Sequence, residues 1–180
     1  MEIRFSLSRY GKRLWTRIKA REIRPEIEAS LEKLKAGGTL VIDTASVEVF
    51  DFSFANELFG KTLLSLRREY PGRFVIVENL TDYTRENLDQ ALQALSLAMI
   101  ERKGARLSLI GKAHSVDHET FAALVKSDGR ATAGALTEEM KVNLTAMNER
   151  LSKLVALGVA RREKTTSDAG REQYEYRVLV

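Results

Sequence analysis

The chain has 180 residues, 44% hydrophobic and 30% charged, with no cysteine and only two prolines. That balance suits one ordinary domain or two small packed ones rather than a disordered chain, and the missing cysteines exclude disulfides, thiolate metal sites and a cysteine nucleophile. Net charge is only +4, from 18 basic and 15 acidic residues up to Gly111 and 11 and 10 beyond it, so an argument for nucleic acid has to rest on local placement of charge. No stretch has the length and apolarity of a membrane span, and MEIRFSLSRYGKR lacks the continuous apolar core of a signal peptide. Cytoplasm is the expected compartment, and no membrane partner is expected.

In EIRFSL (2–7), Ile3, Phe5 and Leu7 alternate with polar residues, the pattern of a half-buried strand. SRYGK (8–12) reads as a turn and RLWTR (13–17) as a return strand. Ile23, Ile27, Leu31 and Leu34 then recur at helical spacing, and Pro25 places the helix start near itself. Gly37 and Gly38 end that helix. TLVIDTA (39–45) reads as a buried strand, followed by a second helix from about Ser53 to Arg68. RFVIVENL (73–80) reads as another strand, a third helix is expected from about Thr84 to Lys103, and RLSLIG (106–111) as a last strand. This alternation predicts an α/β sheet with helices packed on it.

After Gly111 the grammar changes. Helices are expected over about 117–127, 132–140 and 144–157, then strands over 159–164 and 172–179 around a turn at TSDAG (166–170). A boundary near residues 111–116 therefore separates a first domain, 1–111, from a second, 112–180.

Within LTEEMKVNLTAMNERLSKLVALGVARR (136–162), Leu136 and Met140 face inward, Val142 plugs a turn and Asn143 is placed to cap the next helix. Met147, Leu151 and Leu154 form the buried stripe of that helix, and Gly158 sits where a left-handed cap is needed. This stretch resembles the helix-turn-helix of winged-helix bacterial regulators, with Lys141 where the turn usually has glycine. The resemblance implies a recognition helix for the major groove of double-stranded DNA and a hairpin wing on the flanking backbone. Its outward positions are Leu144, Thr145, Asn148, Glu149 and Ser152. Asn148 suits adenine, and Thr145 a thymine methyl or a phosphate. Arg161, Arg162, Lys164 and Arg171 would supply phosphate contacts on the wing. Winged helices also dock proteins and dimerise, and Glu149 with the near-neutral charge keeps that reading open; a homodimer is among the assemblies considered.

GTLVIDTASVEVFD (38–51), DFSFANELFG (51–60) and the RFVIVENL strand with its following helix are similar to STAS-like domains, relatives of anti-anti-sigma factors. The closest likeness is to a STAS-like family marked by a serine-phenylalanine-alanine stretch followed by Glu-Leu, here Ser53, Phe54, Ala55, Glu57 and Leu58. The resemblance implies a serine at a helix N-terminus that a histidine-kinase-like ATP-binding protein phosphorylates. A phosphate brings about −1.5 to −2 charges to a partner interface, while the helix terminus tolerates it. Ser53, two residues after Asp51, holds the matching position. Two readings stand for Ser53: an ordinary helix N-cap, or a switch. Asp51 reads as a turn residue ahead of the cap or as part of the same site. Phe54 replaces the usual small glycine and reads either as a core anchor or as a block to docking.

His114 and His118, the only histidines, are four apart, but no HExxH glutamate lies between them, and a solvated helix start is the better reading. There is no GxSxG elbow, GxGxxG or P-loop. No enzyme activity, metal or cofactor is expected. The basic run Arg9, Lys12, Arg13, Arg17, Lys19, Arg21 and Arg24 reads as a solvated face that could supplement a nucleic-acid surface.

Overall fold

The alternating residues of EIRFS form the first strand, β1 (Glu2–Ser6), and it pairs in parallel with β3 (Thr39–Asp43) in register Glu2 to Thr39 through Ser6 to Asp43. A computed structural model describes residues 1–167 and 170–179. The chain divides into two units, 1–106 with 110–112, and 107–109 with 113–180.

In the first unit β5 (Phe74–Glu78) and β6 (Ala98–Lys103) extend the parallel sheet, and β7 (Arg106–Gly111) is fifth in the order β1-β3-β5-β6-β7. The parallel crossovers are made by α1 (Thr16–Glu32), by a segment composed of α2 (Phe52–Ala55), a π-turn at Asn56–Gly60 and α3 (Lys61–Glu69), and by α4 (Asp82–Ala94). Phe5, Leu40, Ile42, Val75, Val77 and Met99 of the strands join Ile23, Ile27, Phe54, Leu58 and Leu88 of the helices in one hydrophobic core. Asp43, Glu78 and Arg102 alternate to the other sheet face, where Arg4 pairs with Glu78 and Asp43, and Arg102 with Glu78 and Glu2.

Four expectations for this unit change. Arg13–Leu14 (β2) is a two-residue strand parallel to β4 (Val49–Phe50), not a return against β1; Leu7 and Leu14 are both fully buried and fix this segment beside the 47–51 stretch instead. The first helix starts at Thr16 and runs through Pro25. The proline is tolerated because it and Arg21, whose carbonyl loses its helical partner, are both exposed to water. The third helix ends at Ala94, and the residues expected to continue it form β6. Ala98, Met99 and Ile100 are all buried, and a strand covered on both faces has the same continuous apolar run as a buried helix. Finally, the second helix begins at Phe52, so Ser53 is not its cap.

The second unit contains α5 (Ser115–Lys126), β8 (Arg130–Thr132), α6 (Ala133–Met140), α7 (Leu144–Leu157), β9 (Ala160–Thr166) and β10 (Glu172–Val178). The three strands form an antiparallel sheet in the order β8-β10-β9. Phe121, Leu124, Leu136, Met147, Leu151, Leu154, Val159 and Tyr176 are among its buried apolar side chains. Strand β8 is too short to show a period and was not expected. Asp168 and Ala169, within the expected turn 166–170, lie outside the described residues.

Candidate nucleic-acid interface

The corner between α6 and α7 is built from caps. Thr132 accepts from the Ala135 N–H at 3.3 Å at the start of α6, and Asn143 Oδ1 accepts from the Ala146 N–H at 2.9 Å at the start of α7. Between them Lys141 takes the left-handed conformation, φ 54° and ψ 41°, as the C-cap of α6. Gly158 closes α7 in the same conformation, φ 76°, its N–H directed to the carbonyls of Leu154 and Val155. Met147, Leu151 and Leu154 face inward, fully buried. The opposite side of α7 presents Leu144, Thr145, Asn148, Glu149 and Ser152, all exposed.

A second device fixes α7 to α5. Asp117, 2% exposed, accepts from Lys153 Nζ at 2.7 Å and from the His114 backbone N–H at 2.8 Å. Burial alone would raise the Asp117 pKa, but the Lys153 ammonium and the His114 amide outweigh it and hold the carboxyl below its ordinary value. This contact joins the residue between the two histidines to the inner turns of α7. Among the described residues no group of three or more His, Cys, Asp or Glu could hold a metal ion.

The hairpin sorts its cations by strand alternation. Arg162 and Lys164 share a face with Tyr174 and Tyr176. The Arg162 guanidinium lies 4.8 Å from the Tyr174 ring centre, and Lys164 is 3.7 Å from Glu172. Arg161 alternates to the other face with Glu163, Glu175 and Arg177. There Arg161 pairs with Glu163 at 3.2 Å, and Arg177 with Glu175 at 2.7 Å and Glu163 at 3.5 Å. Arg171 is exposed where the chain enters β10, its backbone N–H donating to Ser167 Oγ. The expected wing cluster of Arg161, Arg162, Lys164 and Arg171 is therefore not one patch: Arg161 stands apart from Arg162 and Lys164, compensated by a carboxylate.

Sequence reasoning missed the groove this arrangement makes. Leu144 and Asn148 of α7, Gln173 and Tyr174 of β10, and the Thr132–Gly134 corner line a cleft of about 290 Å³. The signal was present in the alternation of Tyr174 with Tyr176, but the partners are far apart in the chain.

In the first unit the loop-to-helix junction is organised by Asp51. Its Oδ1 accepts from the Phe54 N–H at 2.7 Å, capping α2, and its Oδ2 lies 3.4 Å from the Thr16 N–H at the start of α1. The N-cap of α1, Trp15, makes no side-chain cap of its own, so one carboxylate serves two helix starts. Ser53 follows as the second residue of α2, half-buried. Phe54 is fully buried and stacks on Phe50 with ring centres 5.8 Å apart, the geometry of a core anchor. Glu57, 5% exposed, receives Arg21 at 3.2 Å and Arg24 at 3.1 Å. No helix among the described residues is long and apolar enough to cross a membrane.

No protein-family model matches the chain, and no curated protein matches it. A solved structure described as a possible transcriptional regulator from Methanosarcina mazei Go1 is similar over 38% of this chain, at 17% identity and a TM-score of 0.34. This chain spans 57% of that protein's length.

Proposed function

We propose that the chain is a regulator that joins a STAS-like interaction unit to a winged-helix unit binding double-stranded DNA. The observation that carries the reading is the composition of one surface: the outward side of α7, begun by the Asn143 cap, shares a groove with β10, whose Tyr174 ring carries the Arg162 guanidinium of β9. The element order α5-β8-α6-α7-β9-β10 supports a winged helix with α7 as its recognition helix. Four parallel strands with the Asp51–Ser53–Phe54 junction opening a helix support the STAS-like reading of the first unit. In this role Arg162 and Lys164 contact phosphates and Asn148 and Thr145 reach base edges. The test is retention of labelled duplexes by the intact protein across a salt series. Affinity falls with rising salt, and the double substitution Arg162→Ala with Lys164→Ala lowers the slope by about two. Failure to retain any duplex at low salt, genomic fragments included, overturns the reading.

A second reading has its own support. Leu144 and Tyr174 expose apolar surface, and Lys153, Lys164, Arg161 and Arg177 are each paired with a carboxylate; such a surface also suits a protein partner. Here the unit docks protein and Ser53 is the switch for a histidine-kinase-like ATP-binding partner. Because capping belongs to Asp51, a phosphate on Ser53 would compete with that carboxylate for the same N–H groups and repel it, loosening the start of both helices. Co-purification of such a kinase, lost in Ser53→Asp, supports this reading; binding unchanged by Ser53→Asp removes the switch.

A further inference from the structure

The starts of three helices gather at one end of the first unit, joined by the segment around β4. Glu48 donates its backbone N–H to the Lys12 carbonyl ahead of α1, and its own carbonyl accepts from Oγ1 of Thr81, the N-cap of α4, at 3.4 Å. Asp51 caps α2 and reaches the Thr16 N–H. α2 packs against α1 on one side and α4 on the other. Five large apolar side chains are exposed in this unit, and three of them lie at this end; Met1 and Leu64 are the others. Trp15 and Ile18, 44% and 70% exposed, are neighbours at the start of α1, and Tyr83, 52% exposed, stands at the start of α4. The two outer starts differ in charge. Around Trp15 and Ile18, Arg17 has no carboxylate partner among the described residues, and Lys12 and Arg13 share Glu48, each at 3.6 Å. Lys19 pairs with Glu22 and Arg21 with Glu57. Around Tyr83 the sign reverses. Asp82 and Glu86, one turn apart and both exposed, have no cationic partner among the described residues, and Arg85 between them is held by the buried Glu101 at 2.7 Å.

We infer that this end of the first unit is a self-complementary surface that pairs two copies of the chain. A two-fold axis beside α2 sets the basic start of α1, with Trp15, in one copy against the acidic start of α4, with Tyr83, in the other, and the same contact is made twice. The Asp51 junction holds this end together, and the helix starts on its two sides make the contact. The apolar side chains gain by leaving water, and the charges fix the register. The inference does not depend on what the second unit binds. It is tested on the intact protein by sedimentation over a concentration series. A dimer forms and weakens as salt rises. Arg17→Glu and Glu86→Arg, both at exposed positions, each weaken it by about tenfold or more, because like charges then face each other at both contacts. Mixing the two variants restores a dimer, because opposite charges again meet at both contacts, which unfolded variants could not achieve. Trp15, the only tryptophan, reports the contact directly: its emission shifts to the blue as the protein dimerises. A protein that stays monomeric throughout the series overturns the inference. A dimer indifferent to both substitutions, or variants that stay apart when mixed, also overturns it, because the contact then lies elsewhere. A monomer whose Trp15 emission shifts on phosphatidylserine vesicles or on a DNA duplex overturns it in favour of that occupant.

Discussion

Two side chains hold the same station in the two units. Asp51 and Asn143 each accept from the N–H three residues on, at 2.7 and 2.9 Å. Asp51 is half-buried, its second oxygen turned toward Thr16, and the helix it starts sends Phe54 straight into the core. Asn143 is exposed, and the helix it starts opens with Leu144 and Thr145 in water. A carboxylate with two oxygens can tie two helix starts together, whereas a single amide oxygen caps one and leaves the next turn available. The first junction is built to hold its own unit, the second to present a surface.

The largest break in this comparison comes from Phe54. Phe54→Ala removes a fully buried ring from the core of the first unit and costs about 3–5 kcal/mol in urea unfolding. Leu144→Ala, the first residue of α7 after its own cap, costs less than about 0.5 kcal/mol, because its side chain is exposed. A large loss at Leu144 would mean that the second junction is as self-directed as the first.

Next is the Asp117–Lys153 pair. Asp117→Ala removes the buried partner, but the Lys153 side chain is 45% exposed and turns to water, so the loss is about 2 kcal/mol rather than that of a pair buried on both sides. The pH dependence has a definite sign. The folded-state pKa of Asp117 lies below its ordinary value, so its stabilisation is complete above the unfolded carboxyl value near 3.8 and fades as pH falls through the folded one. Acid titration of stability below that value is shallower in Asp117→Asn than in the unsubstituted protein. Identical acid limbs would show that Lys153 and the His114 amide do no more than offset the burial of Asp117.

The caps themselves separate by a smaller margin. Asp51→Ala costs about 1–2 kcal/mol, because it takes the cap from α2 and the Thr16 contact from α1. Asn143→Ala costs about 1 kcal/mol. Hydrogen exchange distinguishes the two further: Asp51→Ala speeds amide exchange at the start of α1, 35 residues away in sequence, whereas Asn143→Ala affects only α7. Unchanged exchange at Thr16 would reduce Asp51 to a single cap.

What was legible in the chain was what is written locally. Asn143, the Met147–Leu151–Leu154 stripe and Gly158 place α7 within its own fifteen or so residues, because caps and helical spacing are short-range signals. β4 and β8 span two and three residues and carry no period to read. The residues of β6 read as a continuation of helix because burial on both faces erases the alternation that marks a strand. At the site, the outward residues of α7 follow from helical geometry. Long-range partners do not: Lys153 to Asp117 spans 36 residues and Thr16 to Asp51 spans 35. Serine suits an N-cap, one of the two readings open for Ser53, but aspartate does too, and Asp51 stands where the extended chain meets the helix, φ −86° and ψ 168°. Arg161 and Arg162 are adjacent in sequence and read as one cluster, yet in a strand neighbours point to opposite faces.

The finest difference between the two junctions concerns the turn before Asn143. Lys141 adopts φ 54°, where a side chain crowds the backbone and glycine does not. Lys141→Gly relieves that crowding but makes the unfolded chain more flexible, two effects of opposite sign. The relief, about 1–2 kcal/mol, exceeds the added entropy, about 0.5–1 kcal/mol, so the variant is more stable by a few tenths of a kcal/mol to about 1 kcal/mol. The measurement is the thermal midpoint of the intact protein, with duplex retention read in parallel. Lys141 is exposed beside the start of α7. If its charge meets a phosphate, the glycine variant gains stability while its retention loses about one from the salt slope. A gain in stability with the slope unchanged leaves Lys141 as a strained corner residue with no part in binding.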